Sequence, residues 1–492
     1  MARLTCLSIF NLSIWLFCLP IVGLCETRNV VLIIVDGMHL SNEVAASRYL
    51  SGEDFGLGFH SWEYSAPVAT WDINTYNRYA WNACAPPYKA KEFDPLLGYD
   101  PCLGGACPSF LEGDYSYFLK PLAKEIDETP AIPSADSAST GTAFATGCKT
   151  DRGNISWASG DQPGGELTTI LELAKNHGLR TGVATTVPFS HATPASFAAH
   201  DVYRSNYQEI AHDMLFEVQP DLIIGNGWPD PAGDYKYISE ADWQAVHQDN
   251  TYTIVEPQPG LAVNELLSSG AQQALETGQG LFGIFAATDG SFDAVKVLDN
   301  PGTPLINVDP TGYTLSGITP VALDFLNAGN EGFFLMLEQG DVDLGNHDNN
   351  YTWCIGAMYD AHLAAQAVID WLNKPGNKAT LENTLVVLVP DHTHFMRLPK
   401  TLGPGELPEQ IAVLEPTTEP WAYHWEYPQG EVLYLSRNHT NELGNLYATG
   451  AGAELFRPHE GQYYPCTRII DNTQVHSVLM EWLGCGSSGQ VY

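Results

Sequence analysis

Short hydrophobic runs recur along the chain, and polar residues follow each run directly. The first run, Asn-Val-Val-Leu-Ile-Ile-Val at 29–35, is rich in β-branched residues and predicts a strand buried on both faces. Similar runs lie at 181–187, 221–224, 281–286, 332–337 and 384–389. Helical patterns are found at 165–179, 358–372 and 472–483. This alternation predicts an α/β fold with a doubly wound, mainly parallel sheet and helices on both faces.

Two long stretches lack the alternation. Residues 50 to about 130 are rich in Tyr, Trp, Pro and Gly and show little periodicity, and residues 393–438 contain Pro and Gly throughout. A structureless loop of such length is unusual in a compact domain, so both stretches are interpreted as insertions. The first would lie over the functional site or at a subunit contact, and a homodimer is the expected assembly.

The net charge excludes some classes of partner, and the cysteines indicate which disulfides to expect. The formal net charge is −36, and such a surface repels nucleic acid and anionic membranes. Seven of the ten cysteines follow residue 25. In an oxidising compartment we expect disulfides among Cys84, Cys102 and Cys107, with Cys466 and Cys485 as candidates for a further bridge and Cys148 left over.

Residues 1–25 resemble a secretory signal peptide. A single Arg precedes an apolar run that ends in small residues. The sequence Gly-Leu-Cys at 23–25 has Leu where a lipoprotein signal needs a small residue, so a lipid anchor stays an open alternative. No later run approaches the ~18 apolar residues of a membrane span. We therefore expect an exported protein, periplasmic or extracellular, with no transmembrane span in the mature chain.

A segment of small and hydroxylated residues at 133–150 carries the first candidate chemistry. Asp136 and Ser137 precede a run compatible with a helix, which places the Ser137 hydroxyl at a predicted helix N-terminus. Such an end attracts anions because its first N–H groups are unpaired, so Ser137 could attack a phosphate held there. The alternative is a capping Asp136 followed by residues chosen for close packing.

Potential metal ligands follow several of the predicted strands. They are Asp36, Thr193, Glu338, Asp343, His347, Asp391, His392 and His439. Each alone could be a cap or a satisfied polar group, but the four-residue spacing from Asp343 to His347 and the adjacent Asp391 and His392 suit pairs of ligands. Carboxylate with imidazole is typical of zinc, and carboxylate with hydroxyl and water is typical of magnesium.

These motifs resemble those of the alkaline phosphatase family. The matching pieces are Asp-Gly-Met at 36–38, Asp-Ser-Ala at 136–138, His-Ala-Thr-Pro-Ala at 191–195, Arg204, residues 338–347, Asp-His-Thr-His at 391–394 and His-Thr at 439–440. They occur in the family's order from about residue 29 to 485. The resemblance implies one catalytic domain over 26–492, with the two insertions, that hydrolyses small-molecule phosphate monoesters through a phosphoserine at Ser137. It also implies a leaving group that points to solvent and broad specificity.

The resemblance further implies two zinc ions and one magnesium ion. The ligands would be Asp343, His347 and His439 for one zinc, Asp36, Asp391 and His392 for the second, and Asp36, Thr193 and Glu338 for magnesium. Arg204 would grip two phosphate oxygens, a role that its planar fork suits. Asp136 and His191 would contact these groups and hold them in place without binding the metals or the phosphate directly.

Two positions depart from the family's pattern. His191 stands where some members carry Asp, and Leu344 stands where members often carry Lys or His. Neither is a direct zinc ligand, so the implied reaction class is unaffected, but the identity of the third metal stays open. The nearby His39, His200 and His394 are interpreted as structural or as supports for the ligands.

Two alternatives stay open at this point. One is a related metal-dependent phosphodiesterase or sulfatase on the same architecture, although such enzymes usually carry Thr or a modified Cys as the nucleophile. Arg204 would also be out of place in a diesterase, whose substrate has one fewer charge. The other is an extracellular protein that binds metal or phosphate without turnover, which would have no need of Ser137.

Overall fold

The computed structural model describes residues 27–98, 134–229, 233, 235–285, 296–297, 306–307, 313–414 and 423–485. The predicted signal peptide, residues 99–133, which include much of the first predicted insertion, and Cys102 and Cys107 lie outside this part of the chain.

Most of the strands belong to one sheet. The strands are β1 (Asn29–Val35), β2 (Tyr64–Ala69), β3 (Arg180–Pro188), β4 (Leu222–Asn226), β5 (Tyr252–Val255), β6 (Gly280–Phe285), β7 (Lys296–Val297), β8 (Ile306–Asn307), β9 (Phe333–Gln339), β10 (Thr384–Val389), β11 (Thr393–Arg397), β12 (Ile411–Leu414), β13 (Tyr423–Glu426), β14 (Leu433–Thr440), β15 (Gly444–Gly450) and β16 (Ile470–Asp471). The order of the ten-stranded sheet is β16-β2-β15-β10-β1-β9-β3-β4-β6-β5. The seven strands from β10 to β5 are parallel, and β15 runs antiparallel to both of its neighbours.

Helices cover both faces of this sheet. They are α1 (Leu40–Ser51), α2 (Ile73–Asn82), α3 (Ser137–Thr146), α4 (Ile170–Asn176), α5 (Ala192–Ala198), α6 (Tyr207–His212), α7 (Glu240–Gln248), α8 (Val263–Thr277), α9 (Leu315–Leu326), α10 (Asp341–His347), α11 (Tyr351–Leu372) and α12 (Asn472–Leu483). The doubly wound, mainly parallel α/β fold predicted from the sequence is confirmed.

The central strand β1 shows why its sequence is hydrophobic throughout. Val30, Leu32 and Ile34 join the core that contains α3, α4, α5 and α12. The alternate residues of the strand join the second core, which contains α8, α9 and α11. Successive side chains of a strand point to opposite faces, so a strand covered on both sides needs apolar residues at every position.

The first predicted insertion begins too early. Residues 64–69 form β2, which pairs with β15 and belongs to the central sheet. The second predicted insertion, 393–438, contains β11, β12, β13 and most of β14, and these form two small antiparallel sheets outside the central one. His394 lies at its start and His439 follows directly after its end, and both histidines lie near Asp343 in the candidate site.

Two helices differ in extent from their predictions. The helix expected over 165–179 is only α4, because the Thr169 side chain accepts from the backbone N–H of Glu172 and caps the helix there. The helix expected over 358–372 begins earlier, at Tyr351, where Asn350 caps it.

The cysteine prediction fails where it can be examined. Cys466 and Cys485 are both free thiols, so no bridge joins them. Cys84 is an exposed free thiol, and Cys148 is free as expected.

Within the described ranges, no helix combines the length and the apolar character needed to cross a membrane.

Candidate active site

Ser137 is the first residue of α3, as the sequence predicts. Asp136 caps this helix, and its Oδ1 accepts from the backbone N–H of Ser139 at 3.1 Å. The Ser137 Oγ lies 3.4 Å from Oδ2 of Asp36 and 3.2 Å from Nε2 of His392. The hydroxyl is therefore buried between the positive end of a helix and two predicted metal ligands.

Strand register brings the ligands from β1, β9 and β10 to one edge. Ile34 pairs with Glu338 on one side and with Val389 on the other, so Asp36 and Asp391 leave the sheet at the same level. Between them the backbone N–H of Gly37 donates to Oδ1 of Asp391 at 3.0 Å. Gly37 has a φ of 70°, and a Cβ there would lie 2.8 Å from the Cα of Asp343. Only glycine allows this close approach.

One ligand cluster surrounds Asp343. Its Oδ2 lies 3.3 Å from Nε2 of His347, and its Oδ1 lies 3.2 Å from Nε2 of His439. The two Nε2 atoms are 3.0 Å apart. Ligands at the corners of a tetrahedron with bonds of about 2.0 Å are separated by about 3.3 Å, so the two Nε2 atoms and the Asp343 carboxylate suit one zinc ion.

Hydrogen bonds at the far ring nitrogens set the orientation of both histidines. Nδ1 of His347 donates to the carbonyl of Arg437 at 2.6 Å, and Nδ1 of His439 donates to the carbonyl of Ala135 at 3.0 Å. With Nδ1 held as a donor, each ring directs its Nε2 at the cluster and offers the lone pair of that atom when the ring is neutral. Both rings are therefore oriented as metal ligands are.

A second cluster contains Asp36, Asp391 and His392. Nε2 of His392 lies 3.4 Å from Oδ1 of Asp36 and 3.3 Å from Oδ2 of Asp391. Those two carboxylate oxygens are buried and accept no hydrogen bond. The donor set is again carboxylate with imidazole, as zinc prefers.

Thr193 and Glu338 supply the oxygens expected for the third metal. Thr193 is the second residue of α5 and Glu338 lies in β9, and both are fully buried. Oε2 of Glu338 accepts from the Thr185 hydroxyl, whereas its Oε1 and the Oγ1 of Thr193 have no hydrogen-bond partner. Buried oxygens without partners are costly unless a cation binds them, so this pair suits magnesium.

The electrostatics of the protein alone also favour cations here. Burial, together with Asp391 and Asp343, raises the pKa of Asp36 well above its ordinary value. Burial likewise raises the pKa of Glu338 to about 8. Burial alone would lower the pKa of His347, but the Asp343 carboxylate raises it to about 9. Protons then offset the negative charge of the buried carboxylates, which bound cations would otherwise offset.

Arg204 lies beside the N-terminus of α3, against its capping residue Asp136. Its Nη1 donates to Oδ2 of Asp136 at 3.0 Å, and its Nη2 lies 3.4 Å from Nε2 of His191. Burial, followed by the charge of Arg204, lowers the pKa of His191 to about 3, so this imidazole is neutral. The structure thus brings every predicted site residue into one region, with Asp136 and His191 beside the guanidinium.

His394 contributes more than its sequence position indicates. Its Nε2 donates to Oδ1 of Asp343 at 2.6 Å, so it fixes the carboxylate that His347 and His439 share. The available signal was the alternation Asp-His-Thr-His at 391–394, which turns the second histidine toward the site when the chain enters β11. Leu344, the other departure, is half-buried in α10.

Comparisons with known proteins agree with this architecture. A family model described as alkaline phosphatase matches residues 120–225 and 263–420, more than half of the chain. Alkaline phosphatase 4 of Bacillus subtilis is 30% identical over 54% of this chain, and the match spans 50% of that protein. The alkaline phosphatase of Escherichia coli is 28% identical over 60% of this chain and 65% of its own length.

The fold is also that of a solved relative. A cold-active alkaline phosphatase from Shewanella superposes with a TM-score of 0.60 at 20% identity, over 92% of this chain and 99% of that one. With the family model matching most of the parallel sheet and the fold reproduced at this coverage, the chain belongs to the alkaline phosphatase family.

Proposed function

We propose that this protein hydrolyses phosphate monoesters through a phosphoserine intermediate at Ser137. The main support is the position of the Ser137 Oγ, which lies at the N-terminus of α3 and within 3.4 Å of both Asp36 and His392. A structural capping segment would need the Asp136 carboxylate but not a hydroxyl directed at the cluster of Asp36, Asp391 and His392.

The donor sets described above would hold two zinc ions and one magnesium ion. The zinc ligands would be Asp343, His347 and His439 for one ion and Asp36, Asp391 and His392 for the other; the magnesium ligands would be Asp36, Thr193 and Glu338. When bound, the ions supply positive charge that lowers the pKa of a serine hydroxyl and stabilises a departing alcohol oxygen.

The protein groups perform the remaining tasks. Ser137 loses its hydroxyl proton to solvent and attacks phosphorus in line with the ester oxygen; the bond from phosphorus to that oxygen breaks, and the oxygen leaves as the alcohol with a proton from water. The unpaired N–H groups of α3 and the guanidinium of Arg204 attract the phosphate oxygens and orient them. His394 keeps the Asp343 carboxylate in place through its 2.6 Å hydrogen bond. Water then hydrolyses the phosphoserine and restores the hydroxyl.

Arg204 suits a monoester better than a diester through the number of free oxygens that its fork can hold rather than through net charge, because Asp136 pairs with it. A phosphate monoester has more free oxygens for a planar fork than a diester. Residue 137 is a serine, the nucleophile expected for this reaction, rather than the Thr or modified Cys of the related enzymes.

A direct test compares the turnover of a phosphate monoester, a phosphate diester and a sulfate ester by purified protein loaded with zinc and magnesium. We expect the monoester to be hydrolysed at least 10³-fold faster than the other two, a margin typical of differential transition-state binding. Acid quenching during turnover should trap phosphate on the peptide that contains Ser137. Faster hydrolysis of the diester or sulfate ester, or a phosphopeptide from another segment, would contradict the proposal.

A further inference from the structure

Asn441 is a buried amide to which the proposed reaction gives no role. It follows β14 directly and lies two residues after the predicted zinc ligand His439. Because the residue is fully buried, its amide oxygen and nitrogen need partners inside the protein. Oδ1 accepts from the backbone N–H of Ala135 at 3.0 Å, and Nδ2 donates to the Thr75 hydroxyl at 3.3 Å. The amide therefore joins the end of β14 to two distant parts of the chain.

The partners of this amide fix its orientation. A backbone N–H can only donate, so the atom of Asn441 that faces Ala135 is the amide oxygen. The amide nitrogen then faces the Thr75 hydroxyl, which accepts its hydrogen bond. Ala135 is itself fully buried, so an apolar side chain at position 441 would leave its N–H without this partner, which is costly inside a protein.

The predicted zinc ligand holds the other polar group of Ala135. The carbonyl of Ala135 accepts from Nδ1 of His439 at 3.0 Å, and Nε2 of the same ring lies 3.2 Å from Oδ1 of Asp343. Residues 439 and 441 are two positions apart, and side chains at such positions leave an extended chain on the same side. The end of β14 thus binds both the N–H and the carbonyl of one residue.

The same residue leads into the segment that carries the nucleophile. Ala135 is followed by Asp136, which caps α3, and by Ser137, the first residue of that helix. If the backbone of Ala135 moved to find another acceptor for its N–H, its carbonyl would turn away from His439 and the start of α3 would shift. The distance between the Ser137 hydroxyl and the Asp343 cluster therefore depends on how Ala135 is held.

We propose that Asn441 is a positioning residue that fixes the nucleophile Ser137 relative to the zinc ligand His439. Asn441 acts through Ala135 and is not expected to contact the phosphate or a metal ion. The inference rests on the proposed function, which supplies the roles of Ser137 and His439.

A simpler role for Asn441 would be to tie β14 to α2 through Thr75, and three variants separate the two roles. Thr75→Val removes the hydroxyl but keeps the shape of the side chain, and Asn441 retains its hydrogen bond to Ala135. Asn441→Ala removes both hydrogen bonds. Asn441→Asp loses the amide donor but keeps an oxygen that accepts from the N–H of Ala135.

The first measurement is zinc affinity, determined by competition with a chelator on purified protein without substrate. Asn441→Ala should weaken the binding of one of the two zinc ions about tenfold, the lower end of the effect of changing groups that orient metal ligands. Asn441→Asp should bind that ion no more weakly than the parent, and Thr75→Val should change its affinity less than about twofold, because the hydrogen bond to Ala135 remains. In protein that already carries His439→Ala, Asn441→Ala should cause no further loss, since its effect passes through His439.

The second measurement is steady-state hydrolysis of p-nitrophenyl phosphate at saturating zinc and magnesium. Asn441→Ala should lower kcat about tenfold and change KM less than about twofold, because a displaced nucleophile slows the attack whereas Arg204 keeps its position beside Asp136. Asn441→Asp should restore most of kcat. Asn445→Ala is the matched control, because this nearby Asn contacts Glu43 and Tyr447 instead, and it should leave zinc affinity and kcat unchanged.

The outcomes distinguish this inference from the proposed function. Equal effects of Thr75→Val and Asn441→Ala would reduce Asn441 to a tie between β14 and α2 and overturn the inference. Parent-like zinc affinity or parent-like kcat in Asn441→Ala, or a further loss of zinc affinity in the His439→Ala background, would also overturn it. If Asn441→Ala does not fold, Asn441→Ser takes its place, because the Ser hydroxyl is one bond nearer the backbone than Oδ1 of Asn441. A parent that does not hydrolyse the monoester would overturn the proposed function, while the zinc measurements would still decide whether Asn441 acts on His439.

Discussion

Removal of Arg204 should weaken phosphate binding by two separate effects, because its partner is a buried carboxylate. Nη1 of Arg204 donates to Oδ2 of Asp136 at 3.0 Å. Burial alone would raise the pKa of Asp136, but Arg204 and the backbone N–H of Ser139 lower it, so the carboxylate is ionised. Arg204→Ala therefore removes two donors to phosphate and also leaves an unpaired negative charge beside it.

The two effects have different sizes. Two charge-assisted hydrogen bonds of about 1.5 kcal/mol each correspond to roughly 100-fold in phosphate affinity. Repulsion from the bared Asp136 carboxylate adds on the order of 1 kcal/mol, roughly fivefold. Asp136→Asn removes the charge and keeps an amide oxygen that caps α3. The double variant should thus bind phosphate roughly fivefold more tightly than Arg204→Ala.

The assay is competitive inhibition of monoester hydrolysis by inorganic phosphate, measured on the parent, both single variants and the double variant. We also expect KM to rise more than kcat falls in Arg204→Ala, because a clamp on phosphate acts in the ground state and the transition state alike. Arg468→Ala is the control, since Arg468 pairs with Glu460 at the surface. Unchanged phosphate inhibition in Arg204→Ala would show that Arg204 does not face the substrate, and additive single effects would show that Asp136 does not act on the phosphate.

Three further predictions concern the nucleophile and the metals. Ser137→Ala should lower the rate ~10³-fold or more and abolish the acid-stable phosphopeptide, so a retained phosphopeptide would exclude Ser137 as the nucleophile. His439→Ala should lower zinc content by about one ion per chain, as determined by elemental analysis, and unchanged stoichiometry would refute its assignment. His191→Asp should tighten magnesium binding and reduce activation by added magnesium, because Asp adds negative charge near the third site and the neutral His191 adds none; an unchanged affinity in titrations of metal-depleted protein would exclude this role.

Hydrophobic runs predicted the central strands well, because a strand that is buried on both faces has apolar residues at consecutive positions. The strands at 29–35 and 384–389 and the helix at 472–483 begin and end where the sequence indicates. β2 was missed because it lies in a stretch with little periodicity, and it also contains Pro67, a residue that usually argues against a strand in a sheet. It is accommodated near the sheet edge, where only Val68 and Ala69 of β2 pair with β16.

Helices with irregular sequences were harder to predict. α9 contains Pro320, which normally ends a helix, and α2 is rich in Asn and Tyr with little apolar periodicity. In α2 the available signal was Asp72, which accepts from the backbone N–H of Thr75 as an N-cap. A local N-cap therefore indicates where such a helix begins when the hydrophobic pattern does not.

The site residues could be selected from motifs, but their mutual geometry could not. The alternation at 391–394 places His392 and His394 on one side of the chain, but the sequence does not indicate that His394 donates to Asp343, because their segments meet only through the pairing of β11 with β14 and the position of α10. The pocket lined by Asn349, Trp425 and Tyr434 is likewise assembled from distant parts of the chain. Such features depend on long-range packing, which cannot be deduced from the pattern of one sequence.

The acidity of the chain constrains how the proposed site can bind a dianion. Four buried carboxylates, those of Asp36, Glu338, Asp343 and Asp391, lie in the predicted metal site of a chain whose net charge is −36. Three divalent ions would more than offset them and leave about two positive charges, which matches a monoester dianion better than a monoanionic diester. Arg204 adds little to this balance because Asp136 already pairs with it. The preference for a dianion would therefore come mainly from the metals, and the guanidinium would determine how the phosphate is oriented for attack by Ser137.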